Sequence, residues 1–183
     1  MSSNREKRYD KEYLHLFLGL KRIGTNTDHE CLRTVIYDEN RDLKMFEARL
    51  LCLGGEWRIH RTVNARCPQK AMKHLIKKLI DHPEKAPNIA TEWRTSLLQP
   101  ENIYGNKKFL LDIDTNKEHE LLRIKEIALA CNADITLRIK SPKGEHWICK
   151  PFDTREICKE ENVSLIRDGY YYVKTVRREE KKL

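Results

Sequence analysis

Two aspartates stand in the apolar run Phe109-Leu110-Leu111-Asp112-Ile113-Asp114, and their spacing is the feature of this chain best suited to chemistry. In a β-strand, residues i and i+2 share a face. Asp112 and Asp114 therefore project together while Phe109, Leu111 and Ile113 turn into a core. Like charges side by side on a sheet repel one another, and a divalent cation is the partner that relieves the repulsion. Mg²⁺ or Mn²⁺ is bound by one or two carboxylates and completes its octahedron with water and substrate phosphates. The pair thus predicts a metal site at Asp112 and Asp114, suited to nucleotidyl or phosphoryl transfer.

The surrounding elements decide what else reaches that site. Residues 107–114 read as a strand and 118–131 as a helix with an apolar stripe. Residues 134–139 and 146–150 read as strands joined through Ser141-Pro142-Lys143-Gly144. A short helix is expected over 153–161, and strands over 163–166 and 170–176. The order β-α-β-β-α-β is the split βαβ, or ferredoxin-like, unit shared by RNA-recognition domains and polymerase palms. In that topology the first and third strands are central neighbours, and the helices leave one sheet face open. Alternation puts His146, Ile148 and Lys150 on the face of the acids, with Trp147 and Cys149 opposite. On the second strand it turns Ile135, Leu137 and Ile139 to the helices and Thr136, Arg138 and Lys140 outward. An RNA-recognition domain would carry base-stacking aromatics at the central positions. Here they hold acids.

In the first half, Tyr9 to Arg22 has a helical period that Gly24 and Asn26 would stop. Residues 32–37, 45–53 and 57–63 read as strands, the last two joined by a tight turn at Gly54-Gly55. Pro68 opens a helix to Asp81, and a second helix spans 88–98. Lys70, Lys73, Lys77 and Lys78 read as a solvated face. The fold class is α+β, a ferredoxin/RRM-like palm over 107–176 with an N-terminal α/β subdomain over 1–100 and a charged tail over 177–183.

With 183 residues, 35% charged and a net charge of +8, the chain favours a polyanionic partner, nucleic acid or a nucleoside triphosphate. No apolar run is long enough to span a membrane, and the first eight residues lack a signal-like apolar region, which points to the cytoplasm. The six cysteines form no C-x-x-C pair, and Cys131, Cys149 and Cys158 fall among apolar neighbours as buried thiols would. No Walker A loop, dinucleotide fingerprint or Ser/His/Asp arrangement occurs.

The hydrophobic-D-h-D strand resembles a motif of the archaeo-eukaryotic primase superfamily. Ser141-Pro142-Lys143-Gly144-Glu145-His146 resembles that family's second motif, in which a Ser and a Gly turn lead to a His on a strand. Arg61-Thr62-Val63-Asn64-Ala65-Arg66 is similar to a basic segment ahead of the acids, and the stretch from Trp93 to Asn102 is similar to small phage proteins. The resemblance implies that Asp112 and Asp114 hold catalytic metal. It also implies that Ser141, Lys143, His146 and Lys150, with Arg61, Arg66 and Arg138 around them, contact phosphates. A third acid is usual in the family, and Asp168 is the one candidate, although Asp168-Gly169 is also a strong hairpin-turn signal. Arg66 could instead pair with an acid, and Pro142-Lys143-Gly144 is also an ordinary turn composition. Two further readings stay open: a non-catalytic nucleic-acid-binding module, and a phage-type protein that binds and inhibits a host factor.

Overall fold

The computed structural model describes residues 11–22 and 29–178. The start of the helix expected from Tyr9, its stop at Gly24 and Asn26, the first eight residues and the end of the charged tail lie outside the described residues. In chain order the elements begin with β1 (His15–Arg22), β2 (His29–Ile36), α1 (Glu39–Leu53), β3 (Glu56–Thr62), α2 (Pro68–Asp81) and α3 (Ile89–Leu97). They continue with β4 (Phe109–Ile113), α4 (Glu118–Ala130), β5 (Ile135–Lys140), β6 (Glu145–Cys149), β7 (Val163–Ile166) and β8 (Tyr170–Arg177). This is an α+β chain with two four-stranded antiparallel sheets, ordered β2-β1-β3-β8 and β5-β6-β4-β7. It divides into two compact units. One holds the described residues up to His60, Ala65–Gly105 and the chain from Lys174; the other holds Arg61–Asn64 and Asn106–Val173.

In the first unit, two elements differ from the sequence reading. The segment expected to be a helix up to Arg22 is the strand β1. Leu16, Phe17 and Leu18 are all buried, so both strand faces are covered and the period-two alternation is erased. A short apolar run of that kind satisfies a helical template equally well. Conversely, residues 45–53 belong to helix α1. Its inward residues are Phe46 and Leu50, four apart, whereas Met45 and Leu53 are 63% and 53% exposed. The helix starts where it does because Asp38 caps it, accepting the Arg41 N–H at 3.0 Å. Asp42 answers by accepting the Tyr37 and Asp38 N–H groups at 2.6 and 2.8 Å. Gly54, at φ 70°, then ends the helix instead of making a hairpin.

In the second unit, β4 pairs with β6 on one side and β7 on the other. One sheet face packs Leu111, Ile113, Trp147 and Cys149 against Ile124 and Ala128 of α4 and against Ile157. The helix expected over 153–161 is reduced to a 3₁₀ turn, Ile157–Lys159, whose one buried side chain, Ile157, needs no more than a turn to seat it. The opposite face, expected to be open, is covered around Leu110 and Ile148 by Val63, Ile139, Ile166 and Tyr171. Val63 and Tyr171 are remote in sequence from β4, so no local pattern announces that cover.

Strand β5 holds the sharpest departure. Its pairing with β6 shifts by one between Ile135 and Leu137, so Thr136 is an extra, bulged residue. A one-residue shift sends every later side chain to the other face. Ile139 therefore sits opposite His146, and Arg138 opposite Trp147, the reverse of simple alternation.

The expected hairpin at Asp168-Gly169 is absent: β7 and β8 belong to different sheets. Neither residue has the positive φ that a type I′ turn requires. Of the three cysteines read as buried, only Cys149 is; Cys131 is half-buried and Cys158 exposed.

Candidate functional site

Asp112 and His146 meet directly. They are register partners on β4 and β6, and the His146 Nε2 lies 3.1 Å from Asp112 Oδ1. His146 is buried, and its Nδ1 accepts the Tyr172 backbone N–H at 2.9 Å. A nitrogen that accepts carries no proton, so the ring proton sits on Nε2 and is donated to Asp112. The imidazole is thereby fixed in tautomer and rotation, and it fixes the carboxylate in turn. The Asp112 side chain keeps 32% of its surface exposed, and His146 is its one partner among the described residues.

Asp114 follows the last residue of β4 and is exposed. Its N–H still reaches the Asn162 carbonyl at 2.9 Å, which carries the β7 pairing, and hence the alternation, one residue past the strand. Beside it a groove of about 330 Å³ is lined by Glu120, Arg123, Lys159 and Asn162 among others. Its charges are largely matched, as in Lys117–Glu120 at 2.8 Å and Arg123–Glu160 at 2.9 Å.

The turn before β6 is packed onto the end of the acid strand. Ser141 N–H donates to the Gly144 carbonyl at 2.8 Å, and the Gly144 N–H donates to Ser141 Oγ at 3.2 Å. A Cβ on Gly144 would fall 1.9 Å from the Ile113 carbonyl oxygen and 2.7 Å from the Thr115 backbone. Only glycine fits. The Ser141 hydroxyl thus closes the turn, and Lys143 stands exposed at its tip.

The other expected phosphate contacts are dispersed. Arg138 turns away from the acids because of the Thr136 bulge. Its guanidinium lies 4.4 Å from the Trp147 ring and bonds Glu145 at 2.7 and 3.1 Å. Burial pushes the Glu145 carboxyl up, but bonds from the Trp147 indole N–H and Arg138 outweigh it and hold the group below its ordinary value. Lys150 pairs with Asp134 at 2.6 Å, a bond that raises its ammonium above the usual lysine range. Arg61, half-buried on β3, belongs to the unit of the acids. Arg66 belongs to the other unit, where it is 1% exposed, exchanges backbone bonds with Leu14 at 2.7 and 2.8 Å and reaches the Gln99 carbonyl.

Asp168 accepts a bond from Asn64 Nδ2 at 3.0 Å. Asn64, overlooked in the basic segment, is buried and also clips the approach to β4 by bonding both the N–H and the carbonyl of Lys108. Tyr172 contributes through its backbone, so its side-chain type carried no signal. Among the described residues, no three or more His, Cys, Asp or Glu side chains are gathered into a group that could hold a metal ion. Nor is any described helix long and apolar enough to cross a membrane. The chain matches no known family profile, no curated protein and no solved structure at a significant level.

Proposed function

We propose that residues 61–64 and 106–173 form a ferredoxin-like, primase-type palm that binds a divalent cation and the phosphates of a nucleotide. Asp112 and Asp114 hold the cation, and the protein acts in nucleotidyl or phosphoryl transfer. The observation that carries this reading is the Asp112–His146–Tyr172 chain of hydrogen bonds. It engages one carboxylate oxygen of a half-exposed aspartate and leaves the other for a ligand. Carboxylates that bind metal are themselves held by such outer hydrogen bonds. Two hard oxygen donors suit Mg²⁺ or Mn²⁺, which need only one or two carboxylates when substrate phosphates supply the rest. When bound, the cation would neutralise phosphate charge. His146 positions Asp112, and Gly144 lets the turn bearing Ser141 and Lys143 lie against the end of the acid strand. The strand order β5-β6-β4-β7, with α4 between its first two strands in sequence, supports the palm assignment.

Thermal melting with Mn²⁺, with and without a nucleoside triphosphate, tests the reading. At a hundredfold excess over Kd the ligands stabilise by about 2.7 kcal/mol, and Asp112→Asn with Asp114→Asn should abolish that gain while preserving the fold. Equal stabilisation of the double variant would refute the site. The apolar cover over Leu110 and Ile148 favours a second reading, a non-catalytic nucleic-acid-binding module. That reading predicts oligonucleotide binding indifferent to Mn²⁺ and to both aspartates.

A further inference from the structure

The first unit carries a concentration of charge of its own, built from residues not used above. A groove of about 290 Å³ is lined by Arg33 of β2, Arg49 of α1 and Arg94 of α3, with Leu32, Leu98 and Thr91 between them. The three guanidiniums come from three different elements. No Asp or Glu is among the described residues lining the groove.

The contrast with neighbouring cations is informative. Elsewhere in this unit several basic side chains are matched: Lys21 with Glu30 at 3.2 Å, Lys78 with Glu92 at 2.5 Å, and Lys174 with Glu47 at 2.7 Å. A cleft around His74, Lys77, Lys78 and Lys85 looks basic too, but Asp81 lines it and Glu101 lies 3.4 Å from His74. In the arginine groove a bond from Arg94 Nη2 to Thr91 Oγ1 at 2.9 Å aims that guanidinium and leaves its other donors for a ligand. Arg33 and Arg49 are exposed and enter no ion pair among the described residues.

Three arginines line one groove with no carboxylate among its lining residues, so an anion bound there lowers the energy of the arrangement. Guanidinium is the side chain of choice for phosphate, because its fork of N–H donors matches two phosphate oxygens at once. Leu32 and Leu98 give the groove apolar walls, suited to the sugar or base beside a phosphate and of no use to a bare inorganic ion. We infer that the groove between β2, α1 and α3 is a binding site for the phosphate of a nucleotide, free or within a single strand, gripped by Arg33, Arg49 and Arg94.

The test uses the full chain in EDTA, so that it is independent of any cation at Asp112 and Asp114. Binding of a fluorescein-labelled twelve-residue oligothymidylate is followed by anisotropy across a salt series, and adenosine triphosphate serves as competitor. Arg33→Gln with Arg49→Gln should weaken binding at least tenfold and reduce the slope of log affinity against log salt by about 1.4, since each single-strand phosphate contact contributes about 0.7. Lys70→Gln with Lys73→Gln, on the exposed face of α2, removes the same charge elsewhere and should change affinity less than threefold. Both arginines are exposed, so the circular dichroism and melting temperature of the variant should match the parent. Displacement of the oligonucleotide by the triphosphate would identify a free nucleotide as the source of the phosphate. Arginine-dependent binding without displacement would identify the strand backbone. The inference is overturned if the parent binds neither probe, if the arginine variant binds like the parent, or if the lysine variant loses as much.

Discussion

Glu145 binds two partners with one carboxylate, the indole of a fully buried tryptophan and a guanidinium stacked on that same ring. Its side chain is only 14% exposed, so these bonds are poorly replaced by water. Its carboxyl is held below the ordinary value of 4.5. A depressed carboxyl contributes stability above its unfolded value, and loses it as pH falls through the folded one. Glu145→Gln should therefore lower unfolding free energy by about 1.5–3 kcal/mol at pH 7, with the gap between parent and variant closing below about pH 4.5. Urea titrations at pH 7, 5 and 3.5 measure it, and a gap indifferent to pH would discount the charge. Gly144 makes a steric prediction. Gly144→Ala must displace backbone of Ile113 and Thr115, so it should cost about 3 kcal/mol or more. Its urea midpoint should fall accordingly; an unchanged midpoint would mean that the turn yields freely. At this scale the meeting of Asp112 and His146 was legible, because alternation and strand order together place them opposite. The Tyr172 N–H was not, since a backbone donor from a strand 26 residues away leaves no mark in residue type.

At the scale of elements, legibility followed how distinct the local signals were. Helix α2 carries Pro68 at its first position and a lysine-rich outer face, and it runs over Pro68–Asp81 as its sequence indicates. Helix α1 was hidden because its apolar residues outnumber those it buries. Its real signature is Asp38 and Asp42 ahead of an i, i+4 pair. Asp38→Ala should therefore lower stability by about 1 kcal/mol through loss of the cap. Chemical denaturation gives that number, and a loss under a few tenths would show that Asp42 alone holds the helix start. Strand β1 was hidden for the opposite reason: burial on both faces removes the alternation that distinguishes strand from helix. The bulge on β5 was invisible because an extra residue shows only in the pairing partner's register.

At the scale of the molecule, the net charge of +8 was legible at once, while its distribution was not. Of the cations expected beside the acids, Lys150 and Arg138 are spent on Asp134 and Glu145, while three arginines outside any ion pair among the described residues line a groove in the other unit. Proximity in sequence to a motif was thus a poor guide to which cations are available. Thiol chemistry gives a check across the chain. Burial, with a smaller contribution from Asp134, pushes the Cys149 thiol up to about 11, whereas Cys31, Cys52 and Cys158 are exposed. Native alkylation at pH 7.5 followed by peptide mapping should label those three first and reach Cys149 only after unfolding. Early labelling of Cys149 would mean that the sheet around Trp147 opens far more readily than its packing implies.

The bulge at Thr136 also bears on how this chain can change in length. Removing Thr136 would let Ile135 run straight into Leu137 while every later partner on β6 stayed as it is, with Arg138 still over Trp147 and Ile139 still opposite His146. Removing Arg138 or a later residue would instead change the face taken up by at least one remaining side chain of the strand. The sheet beneath the aspartates therefore has its slack at the bulge, where a codon can be lost without scrambling what faces what, and length variation in β5 should collect there.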